Sequence, residues 1–140
     1  MFDDLVASAM RAASPAARVA GFARVENAAC AARLAAMVLM LEAVYAQDGS
    51  AEREQWRFDN WSAVCAQIGA THAVTSGVAS GLLMDAVALA ERLPRVRALF
   101  AAGVVSYRVV HQICTRTMLV KDLDAQRAGR YHRRGGFDRE

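Results

Sequence analysis

The hydrophobic residues of the chain recur at the spacing of helices that bury one face. Leu34, Val38 and Leu41 lie three and four residues apart, and an α-helix of 3.6 residues per turn places them on one side. Upstream, Ser14 and Pro15 are typical of a helix start, since serine caps free amides and proline suits the first helical position. The pattern predicts a long helix over residues 15–46, preceded by a short helix over residues 3–13.

Capping and turn residues divide the rest of the chain into shorter helices. Residues 47–54 are polar and contain Asp48-Gly49-Ser50, which predicts a linker. Proline disfavours helix at the residue before it, and glycine often follows the last helical turn. The predicted helices are 59–68 after Asp59 or Asn60, 76–93 after Thr75 or Ser76, 94–102 between Pro94 and Gly103, 106–120 after Ser106, and a seventh from Asp122.

The composition favours an all-α fold. The 140 residues are 55% hydrophobic but only 7% aromatic, and much of the apolar content is alanine, the best helix former. No alternation of polar and apolar residues is long enough to predict a strand. We therefore predict a multi-helix bundle with one long helix near the N-terminus, forming a single domain over residues 1–129. Residues 130–140 are predicted to be a basic, disordered tail.

The cysteines and the hydropathy favour a cytoplasmic protein. Cys30, Cys65 and Cys114 are widely separated, whereas disulfide frameworks and zinc sites use paired thiols, so we predict buried thiols in a reducing compartment. The start of the chain is acidic, unlike a secretory signal. The longest apolar run, residues 34–41, is far shorter than the roughly 20 residues of a membrane span, and no membrane contact is predicted.

Basic residues are concentrated in the C-terminal half. The formal charge of the whole chain is +3, yet residues 92–134 contain ten basic and two acidic residues, a net charge of +8. This asymmetry favours an acidic partner, and we predict weak, sequence-independent DNA binding. Arginine makes bidentate hydrogen bonds to phosphate, although a solvated helix face would have the same composition. The candidate nucleic-acid-binding residues are Arg92, Arg95, Arg97, Arg108 and Arg116.

Residues 66–83 resemble a helix-turn-helix, with a short helix, a turn of small residues and a second helix capped by Thr75 or Ser76. The start of the second helix has no arginine, lysine, asparagine or glutamine to read bases, so two packed helices of a bundle are the alternative. Gly77 and Gly81 lie on one face of that helix. They indicate a closely approaching ligand, close contact between helices, or simple drift of the sequence.

The sequence predicts no catalytic, metal or cofactor site. His72, His111 and His132 have no ligand spacing, and there is neither a nucleophile triad nor a glycine-rich phosphate loop. His72 is predicted to lie in a loop, and His111 to pack or hydrogen-bond within its own helix. Trp56, Phe58 and Trp61 are predicted to fill the core or a groove where the third helix meets the long one.

Three segments resemble the 13E12 repeat family of mycobacteria. These are Asp59-Asn60-Trp61, Leu93-Pro94-Arg95-Val96, and residues 99–108, LFAAGVVSYR. Proteins of that family carry the actinobacterial domain of unknown function 222, a helical domain that usually precedes an HNH endonuclease module. The resemblance implies a helical bundle in an actinobacterial cytoplasm. The nuclease module is not visible here, and the tail after Arg130 predicts a truncated chain.

Two functional hypotheses follow. The first is a non-catalytic, nucleic-acid-associated accessory module of an HNH-nuclease-like family, without the nuclease part. The alternative is a purely structural or oligomerising domain, including a degenerate gene product without activity, whose helical faces would form a homo-oligomer. An enzyme acting alone is not expected.

Overall fold

The computed structural model describes residues 1–48 and 53–119, with side chains over residues 1–47 and 59–119, and these ranges contain helices and no strand. This confirms the predicted all-α fold and its long N-terminal helix. The helices are α1 (Phe2–Arg11), α2 (Pro15–Asp48), α3 (Arg53–His72), α4 (Ser76–Glu91), α5 (Pro94–Ala101) and α6, described over residues 107–119. The predicted seventh helix and the tail over residues 130–140 lie outside the described residues.

Three predicted helix starts are confirmed by their capping hydrogen bonds. The hydroxyl of Ser14 accepts from the amide of Ala17 at 3.1 Å. Thr75 caps α4 by accepting from the amide of Val78 at 3.3 Å, and Ser106 accepts from the amide three residues further on at 3.4 Å. Each cap satisfies an amide that has no partner inside its helix.

The prediction for α3 was wrong at both ends. α3 begins at Arg53 rather than after Asp59, because residues 53–58 contain strong helix formers and no breaker. It also continues through His72. There Ala73 adopts a left-handed φ of 54°, and the amide of Val74 donates to the carbonyl of Gly69 at 3.0 Å, which closes the helix. The connection to α4 therefore spans residues 73–75.

The core lies between the C-terminal half of α2 and the helices α3 to α6. From α2 it takes Leu34, Met37 and Leu41, which confirms the face predicted from their spacing. Phe100 of α5 is the largest fully buried side chain. Leu83 of α4 is also fully buried, so α4 lies at the centre of the bundle.

The N-terminal half of α2 pairs with α1 in a hairpin. The two helices approach most closely at Gly21, where an added Cβ would lie 2.8 Å from the Cβ of Ala9. Only a glycine permits this distance between the helices.

By length and composition alone, α2 is long and apolar enough to cross a membrane. α3 and α4 would be so only if the two helices, which are bent by 108° relative to each other, were counted as one span. In this structure α2 instead packs against α1, α3, α4 and α5. Its buried residues Leu34, Met37 and Leu41 face protein, and 22% of its most apolar stretch is buried.

Candidate functional site

A buried carboxylate joins α4 to α6. Asp85 is only 5% exposed, and one of its oxygens, Oδ2, accepts hydrogen bonds from the hydroxyl of Tyr107 at 2.6 Å and from Nδ1 of His111 at 2.7 Å. Tyr107 and His111 are four residues apart, so both side chains lie on the same face of α6. A buried carboxylate requires such donors because an unpaired one is strongly destabilised.

The contact with Asp85 fixes the orientation of the His111 ring. An ionised carboxylate only accepts hydrogen bonds, so Nδ1 carries the proton and Nε2 lies on the far side of the ring. Nε2 makes no hydrogen bond within residues 1–48 and 53–119. The hydrogen-bond partner of His111 is therefore on α4 rather than in its own helix. The predicted alternative, packing within the helix, is found, because the rings of His111 and Tyr107 lie 6.0 Å apart between centroids.

The other predicted histidine position was also wrong. His72 is the last residue of α3 rather than part of a loop. Its Nδ1 lies 2.8 Å from the carbonyl oxygen of Ile68 in the same helix. The ring therefore supports the end of α3.

Burial keeps the neighbouring acidic groups protonated. Desolvation raises the pKa of Tyr107 well above its usual value, and the hydrogen bond and negative charge of Asp85 raise it further. Desolvation also raises the pKa of Cys114 to about 11, with a further increase from Asp85 that the charge of Arg92 opposes. A thiol of this kind is a poor nucleophile at neutral pH.

A groove of about 520 Å³ opens beside this cluster, and we call it the α4–α6 groove. Trp61 forms one wall, and its indole Nε1–H donates to the hydroxyl of Ser80 at 3.0 Å. Gly81 lies in the lining, and no atom lies within 4 Å of the position that a Cβ would occupy there. The lining residues are Trp61, Gly81, Met84, Asp85, Val87, Ala88, Arg92, His111, Cys114, Thr115 and Met118.

A second groove, of about 570 Å³, lies between α2, α4 and α5, and we call it the α2–α5 groove. Its lining is largely alanine, with Arg97 and Glu42 as its charged residues. Ala86 and Ala90 of α4 line this groove, whereas Gly81 and Met84 of α4 line the α4–α6 groove. At 100° per residue these two sets face opposite ways, so the grooves lie on opposite sides of α4.

The five candidate arginines do not share one surface. Arg92 is half-buried in the α4–α6 groove, whereas Arg97 lines the α2–α5 groove and donates to the carbonyl of Ala90 at 3.4 Å. Arg95 is exposed in the first turn of α5. Their predicted role as nucleic-acid contacts stays a prediction.

Arg108 and Arg116 are both exposed on α6. They are eight residues apart, which corresponds to roughly 12 Å along the helix axis, and Gln112 lies midway between them. Within the described part of the chain neither arginine forms an ion pair. The two guanidinium groups are therefore open to a partner.

The α3–α4 connection has the geometry of a helix-turn-helix. The axes of α3 (from Asp59) and α4 diverge by 108° across residues 73–75, and helix-turn-helix units have angles of about 90–120° and turns of three or four residues. Among the described residues, the position of a Cβ on Gly77 is near only the Thr75 side chain that caps its own helix, and that on Gly81 has no atom within 4 Å. These residues therefore give no sign of close contact between helices at the two glycines.

Within the described ranges, no three histidine, cysteine or acidic side chains are grouped so that they could hold a metal ion. Among the cysteines, Cys65 and Cys114 are buried and Cys30 is half-buried, and all three are free thiols. The predicted burial is therefore found for Cys65 and Cys114 and only in part for Cys30.

Sequence reasoning missed Asp85. A signal was present, because Asp85 is the one charged residue between Ser76 and Ala90 of α4, and a lone carboxylate in an apolar helix needs a buried partner. The four-residue spacing of Tyr107 and His111 was the matching signal on α6. Which helix would lie opposite Asp85 was not visible in the sequence.

Comparison with known proteins identifies similar sequences but no similar structure. The sequence profile of the domain of unknown function DUF222 matches residues 22–134. Two uncharacterized proteins of Mycobacterium tuberculosis, Rv2100 and Rv3776, are 40% identical to the chain over 100 and 103 residues, or 71% and 74% of its length. These alignments cover only 18% and 19% of the two relatives, so the chain spans about a fifth of their length. No solved structure matches.

Proposed function

Because the chain belongs to the family of the domain of unknown function DUF222, we propose that it is a non-catalytic, nucleic-acid-associated accessory module that acts in the cytoplasm. Its similarity to a short part of much longer relatives supports the role of a module. In this proposal the module holds DNA weakly and without sequence preference. Any catalytic activity in the family would belong to other parts of the longer proteins.

The observation that carries this proposal is the pair of exposed arginines on α6, neither of which forms an ion pair with the residues whose side chains are described. Arg108 and Arg116 lie on the same half of the helix with Gln112 between them. Guanidinium groups bind phosphate through two parallel hydrogen bonds. The amide of Gln112 adds a neutral donor, so the face is suited to a sugar-phosphate backbone.

The α3–α4 unit supports the same function and explains why sequence preference is not expected. The first turn of α4 is exposed at Ser76, Gly77 and Val78. These residues have hydroxyl, backbone and apolar groups but none of the long polar side chains that discriminate bases. The unit would therefore approach the backbone of DNA rather than read its grooves.

The test is a titration of a fluorescently labelled DNA duplex, followed by anisotropy at several salt concentrations. The double variant Arg108→Gln/Arg116→Gln should weaken binding and reduce the slope of log K against log salt by about two, because each phosphate contact releases about one condensed counterion. The matched control is Arg11→Gln/Arg18→Gln, which removes the same charge from the α1–α2 hairpin. Its slope should stay close to that of the parent.

Two results would overturn the proposal. One is the absence of any binding by the parent protein at low salt. The other is an equal loss of slope in the α6 variant and in the control, which would show that only net charge matters.

A second candidate function is helical self-association, and exposed apolar side chains on the α1–α2 hairpin favour it. Met10 is 64% exposed, Val19 71% and Phe22 42%. Large apolar side chains grouped at a surface often mark an interface between proteins. Light scattering that gives a dimer mass for the parent and a monomer mass for Val19→Ser would support this function.

A further inference from the structure

We propose that the α4–α6 groove binds a single unstacked nucleotide of a single-stranded nucleic acid. The inference rests on the proposed function and deepens it, because it names the part of the nucleic acid that enters the domain. It is argued from the shape of the groove, from its polar atoms and from the glycine in its lining.

The groove has the size and composition of a site for a small planar molecule. Its volume of about 520 Å³ lies within the 300–1,000 Å³ that is usual for ligand sites. Trp61, Met84 and Met118 supply apolar walls. The indole of Trp61 is held by its hydrogen bond to Ser80, and a fixed aromatic ring is the kind of surface on which bases stack.

The polar atoms of the groove match a nucleotide in charge and in hydrogen bonding. Arg92 is half-buried and lines the groove, so its guanidinium is suited to a phosphate group. Asp85 lines the same groove, and its Oδ2 accepts hydrogen bonds from Tyr107 and His111. Nε2 of His111, which has no hydrogen-bond partner among the described residues, accepts a hydrogen bond when the imidazole is neutral. The amino and hydroxyl groups of a nucleotide are suitable donors.

Gly81 keeps the groove open. A glycine inside a helix reduces helix stability relative to alanine, and close packing against another helix is the common reason for retaining one. Such packing is not seen among the described residues, where no atom lies within 4 Å of the missing Cβ. The space above Gly81 is part of the groove, and a side chain at this position would occupy it.

Thr115 and Met118 of α6 line the groove. Arg116 lies roughly 130° around the helix from the face that these two residues share, so the nucleotide is held by the groove's own atoms and not by Arg116. An unpaired base has an apolar surface to enter. A paired base in a duplex is not free to enter.

The test uses the fluorescence of Trp61 in a background in which Trp56, the other tryptophan of the chain, is replaced by phenylalanine. Adenosine monophosphate is the probe, and we expect saturable quenching. Gly81→Leu and Arg92→Gln should each weaken binding about tenfold, the scale of losing the groove volume or a charge-assisted hydrogen bond. Circular dichroism confirms that each variant is folded.

Matched controls separate the groove from general effects of charge and bulk. Gly77→Leu adds the same side chain to the same helix outside the groove, and Arg11→Gln removes the same charge from an exposed position on α1. Both should bind the mononucleotide within about twofold of the parent. Equal losses in a groove variant and its control would overturn the inference.

The outcomes also distinguish this inference from the proposed function. Salt-dependent binding of duplex DNA without saturable quenching by millimolar mononucleotide would leave the proposed function standing and overturn the groove site. The opposite result is also possible: the parent protein shows quenching that Gly81→Leu loses, yet it binds neither duplex nor single-stranded oligonucleotides. That result would support the groove site and reject nucleic-acid association. Anisotropy with a single-stranded oligonucleotide completes the comparison, and Gly81→Leu should weaken it while leaving duplex binding unchanged.

Discussion

At the scale of single residues, Asp85 has the largest influence on how α4 and α6 meet. Its carboxylate is nearly inaccessible to water and has two donors, the Tyr107 hydroxyl and Nδ1 of His111, both on α6. A charged group in this position stabilises the bundle only while its donors remain, because an unsatisfied buried charge is more costly than the pair is favourable. The three side chains therefore act as one unit.

We expect Tyr107→Phe to lower the free energy of unfolding by about 1–3 kcal/mol. The change removes the hydroxyl that donates to Asp85 and leaves the packing of the ring in place, so the cost is that of a lost hydrogen bond to a charged acceptor. Urea unfolding at neutral pH measures it. Tyr45→Phe is the matched control, since Tyr45 is a partly exposed tyrosine of α2, and it should change stability by less than about 0.5 kcal/mol. Equal effects would show that the bond to Asp85 contributes nothing.

At the scale of elements, the turn between α5 and α6 is fixed by its contact with α2. Gly103 follows the end of α5 with φ of +79°, as the sequence predicted for a glycine in that position. Its carbonyl accepts from the side-chain amide of Asn27 at 3.2 Å. The backbone of Arg24 lies so close that a Cβ on Gly103 would overlap its carbonyl oxygen. The glycine thus serves both the turn and the docking of the turn on α2.

Gly103→Ala should destabilise the protein by more than the roughly 1–2 kcal/mol that a left-handed conformation costs an ordinary residue, because the new methyl group must also displace α2. Thermal unfolding followed by circular dichroism at 222 nm, a standard helix signal, would measure the change. Gly77→Ala is the control, since it fills open space in a helix, and it should stabilise by about 0.5–1 kcal/mol. A melting temperature for Gly103→Ala equal to that of the parent would contradict the assigned contact.

The sequence predicts the elements better than it predicts their contacts. The caps at Ser14, Thr75 and Ser106 were predicted because a capping residue acts within three residues of itself. The start of α3 was missed because Asp59 and Asn60 are common caps but also tolerate helix interiors, and Asn60 is buried in α3. Local signals alone do not show which of two acceptable conformations the tertiary packing will favour.

At the scale of the whole molecule, the packing around α4 decides which side chains are neighbours. Hydrophobic periodicity shows that a helix has a buried face, but it does not identify the helix that covers that face. For this reason the sequence grouped Arg92 with Arg97, which line grooves on opposite sides of α4. The site at Asp85 was missed for the same reason, since its partners lie 22 and 26 residues away in the chain.

The α4–α6 interface also sets how the whole domain should respond to alkaline pH. In the folded protein, burial raises the pKa of Cys114 from 9.0 to about 11 and raises that of Tyr107 above its usual 10.0. From about pH 9 upward the unfolded chain loses these protons first, so it binds fewer protons than the folded chain and stability falls as the pH rises.

We therefore expect the urea concentration at the midpoint of unfolding to be constant near pH 8 and to fall steadily from about pH 9 to pH 11. Above pH 10 the ionisation of Tyr107 in the unfolded chain should lower it further. Cys114→Ala removes the thiol, so its midpoint should start lower because of the lost packing but decline less steeply between pH 9 and pH 11. The measurement is a series of urea titrations at fixed ionic strength. A midpoint that stays flat to pH 11, or an equal decline in Cys114→Ala and the parent, would show that the thiol ionises as freely in the folded domain as in the unfolded chain.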